Sequence, residues 1–289
     1  MPEECTGLAP AKVNLVLEVT GKRPDGYHEI DTVLQTLTLA DRVTIRRGES
    51  PVTVSGPFAE GAPADETNLA WRAAAALAAI LGRSLGGVSI HLEKQVPAAG
   101  GLGGGASDAA TVLRLLRKQW PEATEAAIEA AAANVGSDEA FFLVGGTARA
   151  RGRGEHVTPL PPLPEHGVVL FIPGQTIERK TARMFEALGR LPLDDGAIAE
   201  AFARERGWTV RSSDVFNAFE RVAFDLFPWL AALWERLEHD VGDAVRLAGA
   251  GPVLFWIGPI EEAADVAAHA AGAECTVIET RTAGSLWQQ

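Results

Sequence analysis

Pro97 to Ala110 reads PAAGGLGGGASDAA, and an apolar, helix-forming run, TVLRLL, continues it to residue 116. Gly100, Gly101, Gly103, Gly104 and Gly105 crowd one short stretch. Glycine admits positive φ and lets a ligand approach the backbone with no Cβ in the way. A helix N-terminus just downstream offers unpaired N–H groups and the positive end of the helix dipole. Together these features make a cradle for a polyphosphate. Upstream, Val88, Ile90 and Leu92 alternate as a strand that leads into the loop; downstream, a helix is expected from Ser107 to Gln119. A flexible linker is the plain alternative, but linkers rarely sit between a clean strand and a clean helix. The loop lacks the G-x-x-x-x-G-K-[S/T] spacing of a Walker A sequence. It does not open a Rossmann unit either, because several strands precede it and two helices follow.

Toward the N-terminus, Val13, Leu15, Leu17 and Val19 share one face of a strand at residues 11–20, with Lys12 and Asn14 on the other. Residues 33–47 read as one or two further strands, broken near Ala40-Asp41. Thr67 is the expected N-cap of an Ala-rich helix reaching Leu81. A second helix after the loop is expected at 122–134, and 141–151 reads as strand or mixed structure around Gly145-Gly146. The proline-rich connector HVTPLPPLPEHG, 156–167, suggests a boundary that divides the chain into domains 1–158 and 159–289. Beyond it the pattern predicts a strand at 168–172, helices near 180–189, 195–206 and 213–238, and strands near 252–257 and 275–280. Strands alternating with helices in both halves indicate an α+β or α/β architecture.

The 289 residues are 47% hydrophobic and 22% charged, with net charge −12. That balance, without a long basic run, argues against binding to nucleic acid or to a membrane surface. It leaves room for a phosphorylated small molecule, since loop N–H groups and one or two cations suffice locally. Cys5 and Cys275 are the only cysteines, which suggests a reducing compartment without a disulfide framework. No apolar run is long enough for a membrane span, and the start, MPEECTGLAP, has no signal-peptide pattern. A cytoplasmic location is expected. The six histidines show no metal-ligand spacing, and nothing in the sequence sets the oligomeric state.

Asp138, just before Phe141-Phe142, is a candidate general base whose pKa partial desolvation could tune; a turn or N-cap aspartate is the alternative. Lys12 is the candidate cation, able to hold such a base ionised and to neutralise a transferring phosphoryl group. A solvated strand lysine is its alternative. Tyr27 and His28 follow an Asp25-Gly26 turn and offer a ring and an imidazole that could read a base; an ordinary turn aromatic is the alternative. Thr181 and Phe185 fall on one helical face, where a core phenylalanine is the alternative for Phe185.

Three stretches resemble, in order, the motifs of the GHMP kinase superfamily: APAKVNLVLEVTGKRPDGYHEIDTVLQTL near the N-terminus, PAAGGLGGGASDAATVLRLL, and RLAGAGPVLF near the C-terminus. Within it, the A-K-x-N-L-x-L-x-V-x-G-x-R-x-D-G-Y-H run and GSDEAFFLVGGTARARGRGE, 136–155, are similar to the family of diphosphocytidyl-methylerythritol kinases. The resemblance covers most of the chain and is weakest at about 190–245. It implies a two-domain α+β GHMP kinase fold with the active site in the interdomain cleft. It implies transfer of the γ-phosphoryl group of ATP, with Mg²⁺, to the 2-hydroxyl of a cytidine-diphosphate-linked methylerythritol, a step of non-mevalonate isoprenoid synthesis. Another GHMP kinase, of homoserine or mevalonate type, or a non-catalytic nucleotide-binding module, are the alternatives.

By the same resemblance, Asp138 is the base and Lys12 its cation, and Asn14 binds the acceptor hydroxyl or orients Lys12. Tyr27, His28, Thr181 and Phe185 hold the cytidine moiety. Pro97, Gly100, Gly101, Leu102, Gly103, Gly104, Gly105, Ala106, Ser107 and Asp108 wrap the ATP phosphates. Two departures touch nucleotide binding. Ala106-Ser107 stands where the family often has two serines, leaving Ser107 as the one nearby hydroxyl for a phosphate or for Mg²⁺. Ala248 and Ala250 stand where relatives often carry Ser or Thr. Asn217 resembles a family Asn whose following acid is here Ala218, and is read as structural or peripheral. Arg149, Arg151 and Arg153 alternate as on a solvated strand face.

Overall fold

The computed structural model describes residues 4–205 and 209–285. The chain begins with β1 (Cys5–Lys22), β2 (His28–Arg47) and β3 (Val52–Ser55), followed by α1 (Leu69–Ile80) and β4 (Val88–Glu93). Three helices come next: α2 (Gly104–Gln119), α3 (Glu125–Ala133) and α4 (Asp138–Val144). Then come β5 (Thr147–Gly152), β6 (His156–Pro159), β7 (Gly167–Pro173), α5 (Lys180–Leu188), α6 (Ala197–Arg204) and β8 (Phe216–Asn217). The chain continues through α7 (Glu220–Leu226), α8 (Pro228–Val241), β9 (Arg246–Leu247), β10 (Leu254–Gly258), α9 (Ala263–His269) and β11 (Cys275–Arg281). Helices and mixed sheets together give the expected α+β class. No helix among the described residues is long and apolar enough to cross a membrane.

These elements form two units that interleave in sequence. The first holds Met1–Ala11, Leu39–Ala98 and Gly103–Val144; the second holds Lys12–Thr38, Ala99–Leu102 and Gly145–Gln289. In the first, the later part of β2 pairs antiparallel with β4, placing Val43 opposite Leu92 and Ile45 opposite Ile90. β3 adds parallel to β4. α1 packs on α2 and α3, and α2 on α4. Small alanines on α1 let the helices close over Leu77, Leu113 and Leu116, all fully buried.

In the second unit, β5 pairs antiparallel with the early part of β2 and then with β6. β8 lies parallel to β1, with Leu17 opposite Asn217. A four-stranded sheet in the order β11-β7-β10-β9 carries the other core. There Val169, Phe171, Leu254 and Trp256 bury against Met184, Phe219, Leu230 and Leu237 from α5 to α8.

Several boundaries differ from the sequence reading, each for a local reason. β2 is continuous through Ala40-Asp41. The N-cap of α1 is Asn68, whose Oδ1 accepts from the Ala70 N–H, while Thr67 donates to Asp65. α2 begins at Gly104, not Ser107, and α3 begins after Thr124, whose hydroxyl accepts from the Ala127 N–H. Residues 141–151 resolve into the end of α4 and then β5, and β6 occupies the start of the proline-rich connector. The single helix expected at 213–238 is interrupted by β8 and by Pro228, which starts α8. α6 ends at Arg204; residue 206, the expected end, lies outside the described residues.

Candidate active site

Left-handed backbone shapes the glycine loop: φ is 55° at Ala99, 89° at Gly101 and 74° at Gly103. Gly103 is the N-cap of α2 and brings no capping side chain. The first bond of the helix runs from the Ser107 N–H to the Gly103 carbonyl, 2.9 Å. The N–H groups of Gly104, Gly105 and Ala106 therefore lie at an uncapped positive helix end. The Ser107 hydroxyl oxygen is buried and has no partner.

Below this helix end, within the first unit, lies a buried ion cluster. Lys94, just past β4, donates to Asp41 of β2 and, at 2.5 Å, to Asp108 of α2. The other Asp41 oxygen accepts from the Gln95 and Val96 N–H groups at 2.5 and 2.8 Å. Burial works against the Lys94 charge, yet Asp108 and Asp41 outweigh it and hold its pKa above the usual lysine value. Burial pushes the Asp108 carboxyl up to about 7 against the pull of Lys94. Asp108 thus directs one oxygen to Lys94, and the cluster ties the strand entering the loop to the helix leaving it.

In the second unit, the loop segment 99–102 interlocks with the glycine turn of RLAGAGPVLF, residues 246–255. A Cβ on Gly101 would lie 1.8 Å from the Ala248 carbonyl oxygen. The Val253 N–H donates to the Gly100 carbonyl, 3.3 Å, and the Lys12 N–H to the Leu102 carbonyl, 2.9 Å. Asn217 holds the turn from behind: its Nδ2 donates to the Leu247 and Gly249 carbonyls at 2.8 Å each, and its Oδ1 accepts from the Phe219 N–H. The structural role read for Asn217 is thereby explained. Lys12 is buried and donates from Nζ to Asn14 Oδ1, 2.7 Å; Asn14 in turn donates to Thr32 Oγ1, 2.8 Å. Thr32 passes the chain to the Val16 carbonyl, 2.6 Å, so both side chains are fixed from β1 and β2. The position a Cβ would take on Gly249 lies 3.3 Å from Lys12 Nζ, so glycine there makes room for the ammonium.

Aromatic side chains gather elsewhere in the same unit. His28 and Phe185 stack with centroids 4.4 Å apart and planes 11° off parallel, and Phe185 meets Phe219 edge-on at 4.9 Å. Burial and then the Lys22 charge lower the His28 pKa, which favours the neutral ring. Tyr27 is 54% exposed, with the Arg153 guanidinium 4.8 Å over its ring. Thr181 is exposed in the first turn of α5. Arg149 forms a two-pronged pair with Asp31 at 2.8 and 2.6 Å, so it is not the solvated residue expected.

Asp138 starts α4 and is exposed; the buried carboxyl of that turn is Glu139. Burial, aided by the Asp138 charge, pushes Glu139 up to about 7. The desolvation expected for Asp138 from its position before Phe141-Phe142 thus falls on its neighbour, because Glu139, Phe142 and Leu143 share the buried face. Sequence reading passed over Lys94, Asp41, Glu139 and Lys180. A charged residue inside an apolar strand–loop–helix segment was the available signal for Lys94, and an acid beside Phe141-Phe142 for Glu139.

Residues 68–146 match the GHMP kinases N terminal domain, and residues 198–276 match GHMP kinases C terminal. Over 286 residues the chain is 38% identical to the 4-diphosphocytidyl-2-C-methyl-D-erythritol kinase of Pelotomaculum thermopropionicum, covering 96% of this chain and 97% of that protein. This chain belongs to the 4-diphosphocytidyl-2-C-methyl-D-erythritol kinase family. The family's Bacillus subtilis member is 38% identical over 252 residues, 86% of each chain. A crystal structure of 4-(cytidine 5'-diphospho)-2C-methyl-D-erythritol kinase superposes with TM-score 0.74 at 36% identity, covering 97% of this chain and 100% of that one. Methanococcus jannaschii mevalonate kinase shares the fold at TM-score 0.67 and 13% identity, covering 98% of this chain and 99% of its own.

Proposed function

We propose that this chain transfers the γ-phosphoryl group of ATP to the 2-hydroxyl of 4-diphosphocytidyl-2-C-methyl-D-erythritol. The observation that carries the reading is the uncapped start of α2 behind a left-handed glycine loop, in a chain of this family. Three N–H groups and a helix dipole there suit the phosphates of ATP. Gly100, Gly101, Leu102 and the residues from Gly103 to Ser107 supply that cradle, with Pro97 and Asp108 fixing its two ends. The acceptor oxygen forms a bond to the γ-phosphorus as the bond to the bridging oxygen breaks and ADP leaves. The chemistry is mostly positioning and charge stabilisation.

Asp138 takes the hydroxyl proton, its exposure leaving it accessible to a substrate. Lys12, held by Asn14, spreads positive charge over the transferring group. Tyr27, His28, Phe185 and Thr181 hold the cytidine, the flat His28–Phe185 pair supplying the stacking surface. Mg²⁺ bound to ATP would neutralise phosphate charge, and the Ser107 hydroxyl, buried and without a partner, is the loop oxygen suited to it. The division at 158/159 falls between the two family matches. Two free cysteines, Cys5 and Cys275, fit a reducing, cytoplasmic setting. Phosphorus NMR of a reaction with ATP, Mg²⁺ and the acceptor tests the reading: a new phosphomonoester at the 2-position and stoichiometric ADP are expected. An unchanged acceptor would overturn it.

A further inference from the structure

The seam between the 99–101 loop and the 249–251 turn holds a second cation that the sequence motifs do not mark. Lys180 opens α5 after Arg179, which sits in the left-handed region at φ 50°. Its half-buried side chain reaches across the second unit, and Nζ donates to the carbonyl oxygens of Ala99 and Gly251. The two segments meet closely beside these carbonyls: a Cβ on Gly101 would lie 3.1 Å from the Gly251 nitrogen, and Gly101 and Gly251 each have positive φ.

An ammonium has three donors, so two carbonyls leave one over. Carbonyl dipoles satisfy protons but do not neutralise a charge, and a desolvated ammonium without an anion is costly. Among the described residues of its unit, no carboxylate pairs with Lys180, and the charged group that acts on it is Lys12, of the same sign. Burial, then Lys12, pushes the Lys180 pKa down to about 8, the mark of a cation lacking its counter-charge. Two ammoniums over glycine turns make a site that a multiply charged anion completes.

We propose that Lys180 contacts a phosphoryl oxygen of a pyrophosphate-bearing substrate, its third N–H bonding the anion while the other two hold the Ala99 and Gly251 carbonyls. The inference rests on the kinase reading, in which both ATP and the acceptor carry a pyrophosphate. It adds a second cation to Lys12, one that holds both glycine turns and the anion at once.

Calorimetric titration of the full chain with inorganic tripolyphosphate tests it in wild type, Lys180→Met and Lys180→Arg. Loss of one charge-assisted hydrogen bond predicts roughly tenfold to a hundredfold weaker binding in K180M, with most of it restored in K180R. KM then separates the sources: a rise for ATP assigns the contact to the nucleotide, and a rise for the acceptor assigns it to the cytidine diphosphate. In the wild type, tripolyphosphate should slow acetylation of Lys180 as followed by mass spectrometry, a reading independent of any variant's fold. Wild-type affinity in K180M, or acetylation of Lys180 indifferent to tripolyphosphate, would overturn the proposal. Tripolyphosphate binding that depends on Lys180 in a protein without acceptor-dependent turnover would sink the kinase reading and leave this one standing.

Discussion

Gly101→Ala should separate the two glycine turns of the second unit, and the size of the effect follows from the geometry. The new Cβ would lie 1.8 Å from the Ala248 oxygen, against a tolerated carbon–oxygen approach of about 3.3 Å, so the turns must part by about 1.5 Å. The Ala248 turn cannot yield cheaply, because Asn217 pins it through Leu247 and Gly249. Parting breaks the bond from Val253 to Gly100 and strains those of Lys180 to Ala99 and Gly251. At about 1 kcal/mol net for each, the loss is roughly 2–3 kcal/mol. The left-handed backbone adds about 1–3 kcal/mol for any alanine. Gly26 removes that second cost from the comparison: its φ is 88°, and a Cβ there meets nothing within 4 Å. Thermal unfolding of Gly101→Ala and Gly26→Ala side by side isolates the clash. The Gly101 variant should melt lower than the Gly26 variant by about 5–10 °C. Equal midpoints would refute the interlocked seam.

Glu139 ionises near 4.5 when unfolded and near 7 in the fold. The folded state binds the extra proton between those values, so this group's contribution to stability is lost as pH rises from about 4.5 to about 7. Glu139→Gln should flatten that dependence and stabilise the protein at pH 8 by up to roughly 3 kcal/mol, as read by urea denaturation at pH 5 and 8. Lys94→Met strands Asp41 and Asp108 without their cation and should cost about 3–5 kcal/mol by denaturation at pH 7; a change below about 1 kcal/mol would contradict the buried cluster. Phe185→Ala should raise KM for the acceptor about tenfold or more, the scale of one lost base stack, and leave KM for ATP unchanged.

Much of the fold was legible because its signals are local. Alternating Val13 to Val19 and Val88 to Leu92 marked strands, and the glycines with their apolar sequel marked a loop and the helix that follows it. The loop's helix starts earlier than expected because Gly104 and Gly105, poor helix formers in isolation, sit in a first turn packed on Val96 and Leu69. Asn217 left the expected long helix because its partners, Leu17 on β1 and the carbonyls of Leu247 and Gly249, lie far off in sequence. Lys94 meets Asp41 across 53 positions, and Lys180 meets Ala99 across 81; no periodicity announces such pairs. Asp138 stood out in the sequence through its motif, but which carboxyl of that turn is buried depended on how α4 packs.

The most direct test measures ADP release from ATP and Mg²⁺ with and without 4-diphosphocytidyl-2-C-methyl-D-erythritol, in wild type, Asp138→Ala and Lys12→Met. Wild type should show acceptor-dependent turnover, and kcat should fall by about 10²–10⁴ in Asp138→Ala with melting temperature unchanged. Lys12→Met should lose a comparable amount. Turnover with homoserine or mevalonate but not with the cytidine-linked acceptor, or full activity without Asp138, would contradict the proposed reaction.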